Sequence, residues 1–134
     1  MPTKKNDLPI YRRGFGLKDQ VADTLNSEYK SPLINYLREN GYQLQLGNLQ
    51  IMLAKEFGFC YGVDRAVDYA YETRRMFPEK TLYITTEIIH NPMVNRRLRE
   101  MGVRFLSGGD GENYDYEDIT ANDVVILPAF GASV

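Results

Sequence analysis

The chain has 134 residues, 43% hydrophobic and 25% charged, with a formal net charge of -2. That is the size and balance of one ordinary globular domain with a modest core. The near-neutral charge gives no reason to expect nucleic acid or an anionic membrane as partner, no run approaches the roughly 18 apolar residues of a membrane span, and a single cysteine excludes an internal disulfide and suits a reducing compartment.

Residues 1–16 are polar and basic and end in Arg12-Arg13-Gly14-Phe15-Gly16. No apolar run follows the early lysines, so this is not a secretory signal. It reads as an arm that is poorly ordered or docks on something else. Leu17, Val21, Leu25 and Tyr29 recur every four residues and predict a helix. Ser31 and Pro32 suit the N-cap and first position of a second short helix, which Asn40-Gly41 ends. The period then changes. Tyr42, Leu44 and Leu46 alternate with glutamines, Gly47-Asn48 suits a two-residue hairpin turn, and Leu49, Ile51 and Leu53 alternate again. The second strand is expected to run on towards Lys55 and deliver the chain to Cys60.

Around that cysteine lies Phe57-Gly58-Phe59-Cys60-Tyr61-Gly62-Val63-Asp64. A helical face follows in Val63, Ala66, Val67, Ala70 and Tyr71, with Asp64 and Arg74-Arg75 matched to the helix dipole and Phe77-Pro78 as its stop. Residues 81–85 are β-branched and aromatic and predict a strand. Pro92 opens another helix with Met93, Val94, Leu98 and Met101 on one face, closed by Gly102, and residues 103–106 form a short strand. The acidic stretch after Ser107 reads as a solvated loop. A last strand over 123–127 leads to Pro128-Ala129-Phe130-Gly131-Ala132-Ser133. This alternation predicts an α/β protein with a mostly parallel sheet flanked by helices. Ligands gather at the carboxyl ends of such strands, so Cys60, His90 and Gly131 are expected to share one edge of the sheet.

Two readings stand for Cys60. It is a buried structural thiol, or a functional one whose thiolate is favoured by backbone N–H groups at a helix start, with Gly58 and Gly62 letting a ligand approach. One cysteine completes no zinc or iron–sulfur spacing by itself. His90, the sole histidine, is a surface residue or, beside exposed N–H groups of the following helix, an anion site suited to phosphate. Glu87 either orients its imidazole or is simply exposed. A Cys–His nucleophilic pair is a rival that requires the thiol and imidazole to meet.

Three linked segments resemble the start of the LytB/IspH family of 4-hydroxy-3-methylbut-2-enyl diphosphate reductases. They are Gly58-Phe59-Cys60-Tyr61-Gly62-Val63-Asp64-Arg65-Ala66, Glu87-Ile88-Ile89-His90-Asn91-Pro92 and Leu98-Arg99-Glu100-Met101-Gly102-Val103. Tyr11-Arg12-Arg13-Gly14-Phe15-Gly16 and Tyr71-Glu72-Thr73-Arg74-Arg75 are similar to the cyanobacterial and plant-type branch.

The resemblance implies one lobe (49–134) of a three-lobed α/β protein, preceded by a helical and hairpin extension (1–48). It implies a [4Fe-4S] cluster held by three cysteines, one per lobe, with Cys60 the first ligand. His90 matches a histidine that contacts the substrate diphosphate. The implied activity is reductive removal of the substrate hydroxyl, giving isopentenyl and dimethylallyl diphosphates in the last step of the non-mevalonate pathway. A ferredoxin-type electron donor and a bacterial cytoplasm are expected, or a plastid for a plant source, although no transit peptide is seen. No catalytic residue falls within this stretch; the chain is expected to be truncated and inactive alone. Many members carry a diphosphate-binding histidine where Phe130 stands, a change shared by the cyanobacterial-type branch, and Phe130 takes no ligand role. The alternative from another class is a non-catalytic α/β module that binds a phosphorylated ligand or a partner chain.

Overall fold

The computed structural model describes residues 8–128. Helix α1 (Lys18–Tyr29) and helix α2 (Pro32–Glu39) come first. Ser31 occupies the N-cap of α2 with Pro32 behind it, yet its hydroxyl makes no capping bond. Asn40 closes α2, and Gly41 takes φ +72° to turn the chain out of it. Strands β1 (Gln43–Leu46) and β2 (Leu49–Met52) then pair antiparallel, with Leu46 opposite Leu49 and Gly47 at φ +58° in the two-residue turn.

Helix α3 (Tyr61–Met76) is followed by β3 (Leu82–Ile84), α4 (Pro92–Glu100), β4 (Val103–Phe105), a 3₁₀ turn (Tyr116–Asp118) and β5 (Val124–Ile126). The second sheet has the order β4-β3-β5, both pairings parallel. Its central strand β3 is buried throughout, as a parallel strand covered on both faces must be. Leu82 and Ile84 join Val67 and Ala70 of α3, Val94 and Leu98 of α4, and Phe105 in one core cluster. Tyr83 is buried on the other face. There Tyr114 meets its ring edge-on, and its hydroxyl donates to the carbonyl of Asp118 at 3.3 Å.

Two expectations are corrected. Strand β2 stops at Met52 and does not join the parallel sheet; the hairpin is a separate two-stranded sheet. One face of that hairpin carries Leu44, Leu46, Leu49 and Ile51, the other Gln43, Gln45, Gln50 and Met52. A strand polar on one face cannot sit in the middle of a sheet buried on both. Cys60 therefore does not follow a strand of the parallel sheet.

The arm is the second correction. From Tyr11 to Leu17 it lies against α3 and the residue that ends it, Phe77, rather than apart from them. Glu72, buried in α3, accepts the N–H groups of Phe15 at 2.7 Å and Leu17 at 3.2 Å. Tyr11, Phe15 and Phe77 form an aromatic trio with ring centroids 5.0–5.9 Å apart. Gly14 passes so close to Tyr69 that a Cβ would stand 2.5 Å from the ring. Val21 of α1 is buried, and Leu25 and Tyr29 pack on the same core, so α1 and α3 form one layer. Residues 1–7 lie outside the described residues, as do 129–134 with Phe130 and Gly131. Among the described residues, no helix is long and apolar enough to cross a membrane.

Candidate functional site

Cys60 is exposed and takes the N-cap of α3 in an extended conformation (φ -67°, ψ 159°). Its thiol makes no capping bond. The N–H groups of Tyr61, Gly62 and Val63 therefore have no acceptor among the described residues, while that of Asp64 bonds back to the Cys60 carbonyl at 3.0 Å. An exposed thiol beside three free donors and the positive end of a 16-residue helix fits an anionic sulfur ligand. A Cβ added at Gly58 or Gly62 would meet nothing within 4 Å, so the turn opens to free space. Among the described residues Cys60 is thus not buried.

Cys60 reaches the ligand edge by a route other than the strand expected. α3 packs on the core and feeds β3 through the turn after Phe77, so its end lies at the amino edge of the sheet and its start at the carboxyl edge. A cavity of about 980 Å³ is lined by Phe57, Gly58 and Phe59 before the cysteine and by Asn91 and Met93 at the start of α4. Tyr29 of α1 and Arg38 of α2 also line it. The residues just before Cys60 and those just after His90 thus border one space, which neither Cys60 nor His90 itself lines.

His90 lies in the stretch that leads from β3 to α4, just before α4. Its imidazole is 96% exposed, and Nδ1 is 3.1 Å from Glu87 Oε2. It makes no hydrogen bond to Cys60 among the described residues, so a Cys–His nucleophilic pair is not formed. The adjoining helix start differs from expectation as well. Asn91 is the N-cap of α4, and its Oδ1 accepts from the N–H groups of Met93 at 3.0 Å and Val94 at 3.2 Å. Pro92 has no N–H, and that of Asn95 bonds to the Asn91 carbonyl. No backbone donor at the start of α4 is left for an anion.

Glu87 is largely buried. Besides His90, it accepts from Asn95 Nδ2 at 3.0 Å and from the Gly109 N–H at 2.9 Å. The Gly109 hydrogen bond, joined by those from Asn95 and His90, holds its carboxyl below the ordinary glutamate range against the opposing effect of burial. The loop after β4 is mostly exposed, as expected, and is anchored at a few points. Ser107 Oγ donates to the Thr85 carbonyl at 2.8 Å, and Arg99 donates to the Glu112 carbonyl at 2.6 Å. Asn95 and Gly109 were not singled out in the sequence. A polar residue four positions after Asn91 on a buried helix face was the available signal for Asn95; Gly109 had none.

Beneath the cavity, Tyr71 is buried, and burial together with its hydrogen bond to Glu28 pushes its hydroxyl far up, so it remains a donor. Among the described residues, no group of three or more His, Cys, Asp or Glu side chains could hold a metal ion.

The structure is an α/β lobe that presents one exposed thiol at a helix start and one exposed histidine just before another helix. The sequence profile described as LytB protein matches residues 51–134, and the chain belongs to that family. It is similar to proteins named 4-hydroxy-3-methylbut-2-enyl diphosphate reductase: 55% identical over 124 residues to that of Picosynechococcus sp., covering 92% of this chain and 30% of the relative. That of Gloeobacter violaceus is 56% identical over 126 residues, with the same coverage, and that of Microcystis aeruginosa 55% over 123. The chain spans about 30% of the length of these relatives. No solved structure matched it.

Proposed function

We propose that the chain is the cysteine- and histidine-bearing first lobe of a reductase acting on 4-hydroxy-3-methylbut-2-enyl diphosphate. The observation that carries this reading is the exposed Cys60 at the N-cap of α3, with the three following N–H groups unused. A [4Fe-4S] cluster fits that donor set as a group needing one thiolate from this lobe, and when bound it supplies the electrons for reductive removal of the substrate hydroxyl. N–H groups near a liganding sulfur disperse its negative charge and thereby tune a cluster's potential. Cys60 is one ligand of three, so the others come from outside these residues. Isopentenyl and dimethylallyl diphosphates are the products in this reading, and a ferredoxin-type protein is the electron donor.

His90 binds the diphosphate in this reading. Its imidazole is exposed between β3 and α4, and the adjoining helix donors are already taken.

Cys60→Ser in the full-length reductase tests the first role. Cluster-dependent activity is expected to be abolished and the visible absorption of the reconstituted cluster to weaken; an intact cluster with normal turnover would remove Cys60 from the site. His90→Phe tests the second. The KM for the diphosphate substrate should rise by about tenfold or more, the scale of one lost charge-assisted hydrogen bond, and an unchanged KM would reject the contact. Anaerobic reconstitution of the 134-residue chain alone should give no turnover.

A further inference from the structure

The imidazole of His90 is almost wholly in solvent, yet one of its nitrogens is tied to a carboxylate that is itself held from three sides. We propose that Glu87 is a positioning residue for His90: it takes the Nδ1–H and so presents Nε2 outward, fixing both the ring's orientation and its tautomer. This rests on the reading of His90 as a diphosphate ligand and adds to it the residue that sets how the ligand is offered.

Glu87 has only 15% of its side chain exposed, against 96% for His90. A carboxylate accepts and cannot donate, so the 3.1 Å contact requires the proton on Nδ1. The carboxylate cannot swing away to release it. Oε1 accepts the Gly109 N–H, and Oε2 accepts Asn95 Nδ2 as well as His90. Asn95 is buried and turns its NH₂ to Glu87 although its own Oδ1 is left without a partner. The carboxylate thus dictates the amide's orientation, not the reverse. Gly108 closes the space above: a Cβ there would stand 3.0 Å from both Cγ and Oε1 of Glu87.

The consequence for an anion is direct. An imidazolium has two N–H donors. With one spent on Glu87, the other, at Nε2, is the single donor left for phosphate oxygens, and it faces away from the carboxylate that would repel them. A histidine without Glu87 rotates freely and offers either nitrogen. At metal-liganding histidines, outer partners of this kind alter affinity by about 10–100-fold.

The chain has one histidine, so its two ring nitrogens give unique NMR signals. In the isotopically labelled chain, above the imidazole's titration range, the ring nitrogen shifts should report the proton on Nδ1. Glu87→Ala should move it to Nε2, the form favoured in free imidazole side chains. Asn95→Ala removes a different partner of Glu87 and should leave the proton on Nδ1. A proton on Nε2 in the unsubstituted chain overturns the proposal without any variant, so a Glu87→Ala chain that fails to fold does not rescue it. An equal change in Asn95→Ala and Glu87→Ala also overturns it, because general loosening would then explain both. Inorganic pyrophosphate, titrated at a lower pH where the imidazole is protonated and Nε2 carries its own N–H, should perturb the Nε2 signal, with about tenfold more needed in Glu87→Ala. An Nε2 signal indifferent to pyrophosphate in the unsubstituted chain rejects the diphosphate role of His90, while the tautomer measurement separately decides the role of Glu87.

Discussion

The guanidinium of Arg38 in α2 lies over the ring of Phe57, 4.8 Å from its centroid, three residues before Cys60. On the other side of Gly58, Tyr29 of α1 meets Phe59 edge-on with centroids 6.2 Å apart. The two helices that precede the hairpin therefore grip the two phenylalanines just before Cys60. Gly58 between them, at φ +118°, gives that turn little stiffness of its own.

Releasing this grip should loosen the turn without unfolding the lobe. Arg38→Ala removes an exposed cation–π contact of about 0.5–1 kcal/mol, a two- to fivefold change in a local opening equilibrium. Amide hydrogen exchange over residues 57–62 should accelerate by that factor, and more in a double variant with Tyr29→Ala. Exchange at the same rate in both variants would show that the turn is held by something else.

The arm hangs on Glu72. Glu72→Ala leaves the N–H groups of Phe15 and Leu17 without their acceptor and should lower stability by about 1–3 kcal/mol. Glu72→Gln, which keeps an accepting oxygen, should cost less. A urea midpoint measures both. Trypsin cleavage after Arg12 or Arg13 should be faster in the alanine variant, and equal cleavage would mean that the aromatic trio alone secures the arm.

Gly108 and Gly16 separate collision from backbone strain. Both have positive φ, +65° and +72°, but only at Gly108 would a Cβ meet Glu87, whereas at Gly16 it meets nothing within 4 Å. Each alanine substitution should cost about 1–2 kcal/mol in strain. Gly108→Ala should cost more and broaden the signals of Gly109 and His90, and equal losses at the two positions would deny the close packing over Glu87.

Acid should weaken the tie between β3, α4 and the loop after β4. Glu87 titrates below its ordinary value of 4.5 in the folded chain, chiefly because the Gly109 N–H favours the carboxylate. With the folded pKa below the unfolded one, its contribution to stability is fully present above the ordinary value and is lost as pH falls through the folded one. The fall in urea midpoint on acidification should be shallower in Glu87→Gln. Parallel pH profiles would mean that Glu87 contributes nothing to acid sensitivity.

The hairpin presents Leu44, Leu46, Leu49 and Ile51 on one face, with Leu46 55% and Leu49 59% exposed. Contiguous apolar surface of this kind promotes association. Sedimentation of the isolated chain should show self-association that Leu46→Gln with Leu49→Gln reduces; identical behaviour would assign the association to another surface.

Local periodicity and turn chemistry made the helices and strands legible. Val21, Leu25 and Tyr29 pack at the four-residue spacing they show in the sequence, Gly47-Asn48 turns the hairpin, and Pro92 opens α4. The family motifs around Cys60 and His90 were equally plain, because a lone thiol between glycines and a histidine before Asn-Pro are chemical patterns that survive without coordinates. Strand partnership was not legible. Alternation shows that β2 is half-buried but not which strands it joins, so Cys60 was placed on the ligand edge by a strand when it is α3, running back from β3, that carries it there.

The cysteine, its glycines and the helix behind it were written in the sequence itself, since each depends on residue type and short-range spacing. That Asn91 consumes the donors of α4, that Glu72 and Glu87 each gather partners from distant segments, and that the first two helices wall the cavity beside Cys60 were decided only by the tertiary structure. A hydrogen bond between residues 22 or 57 positions apart leaves no periodic trace in a chain. It exists only once the core has brought its two ends within 3 Å or so.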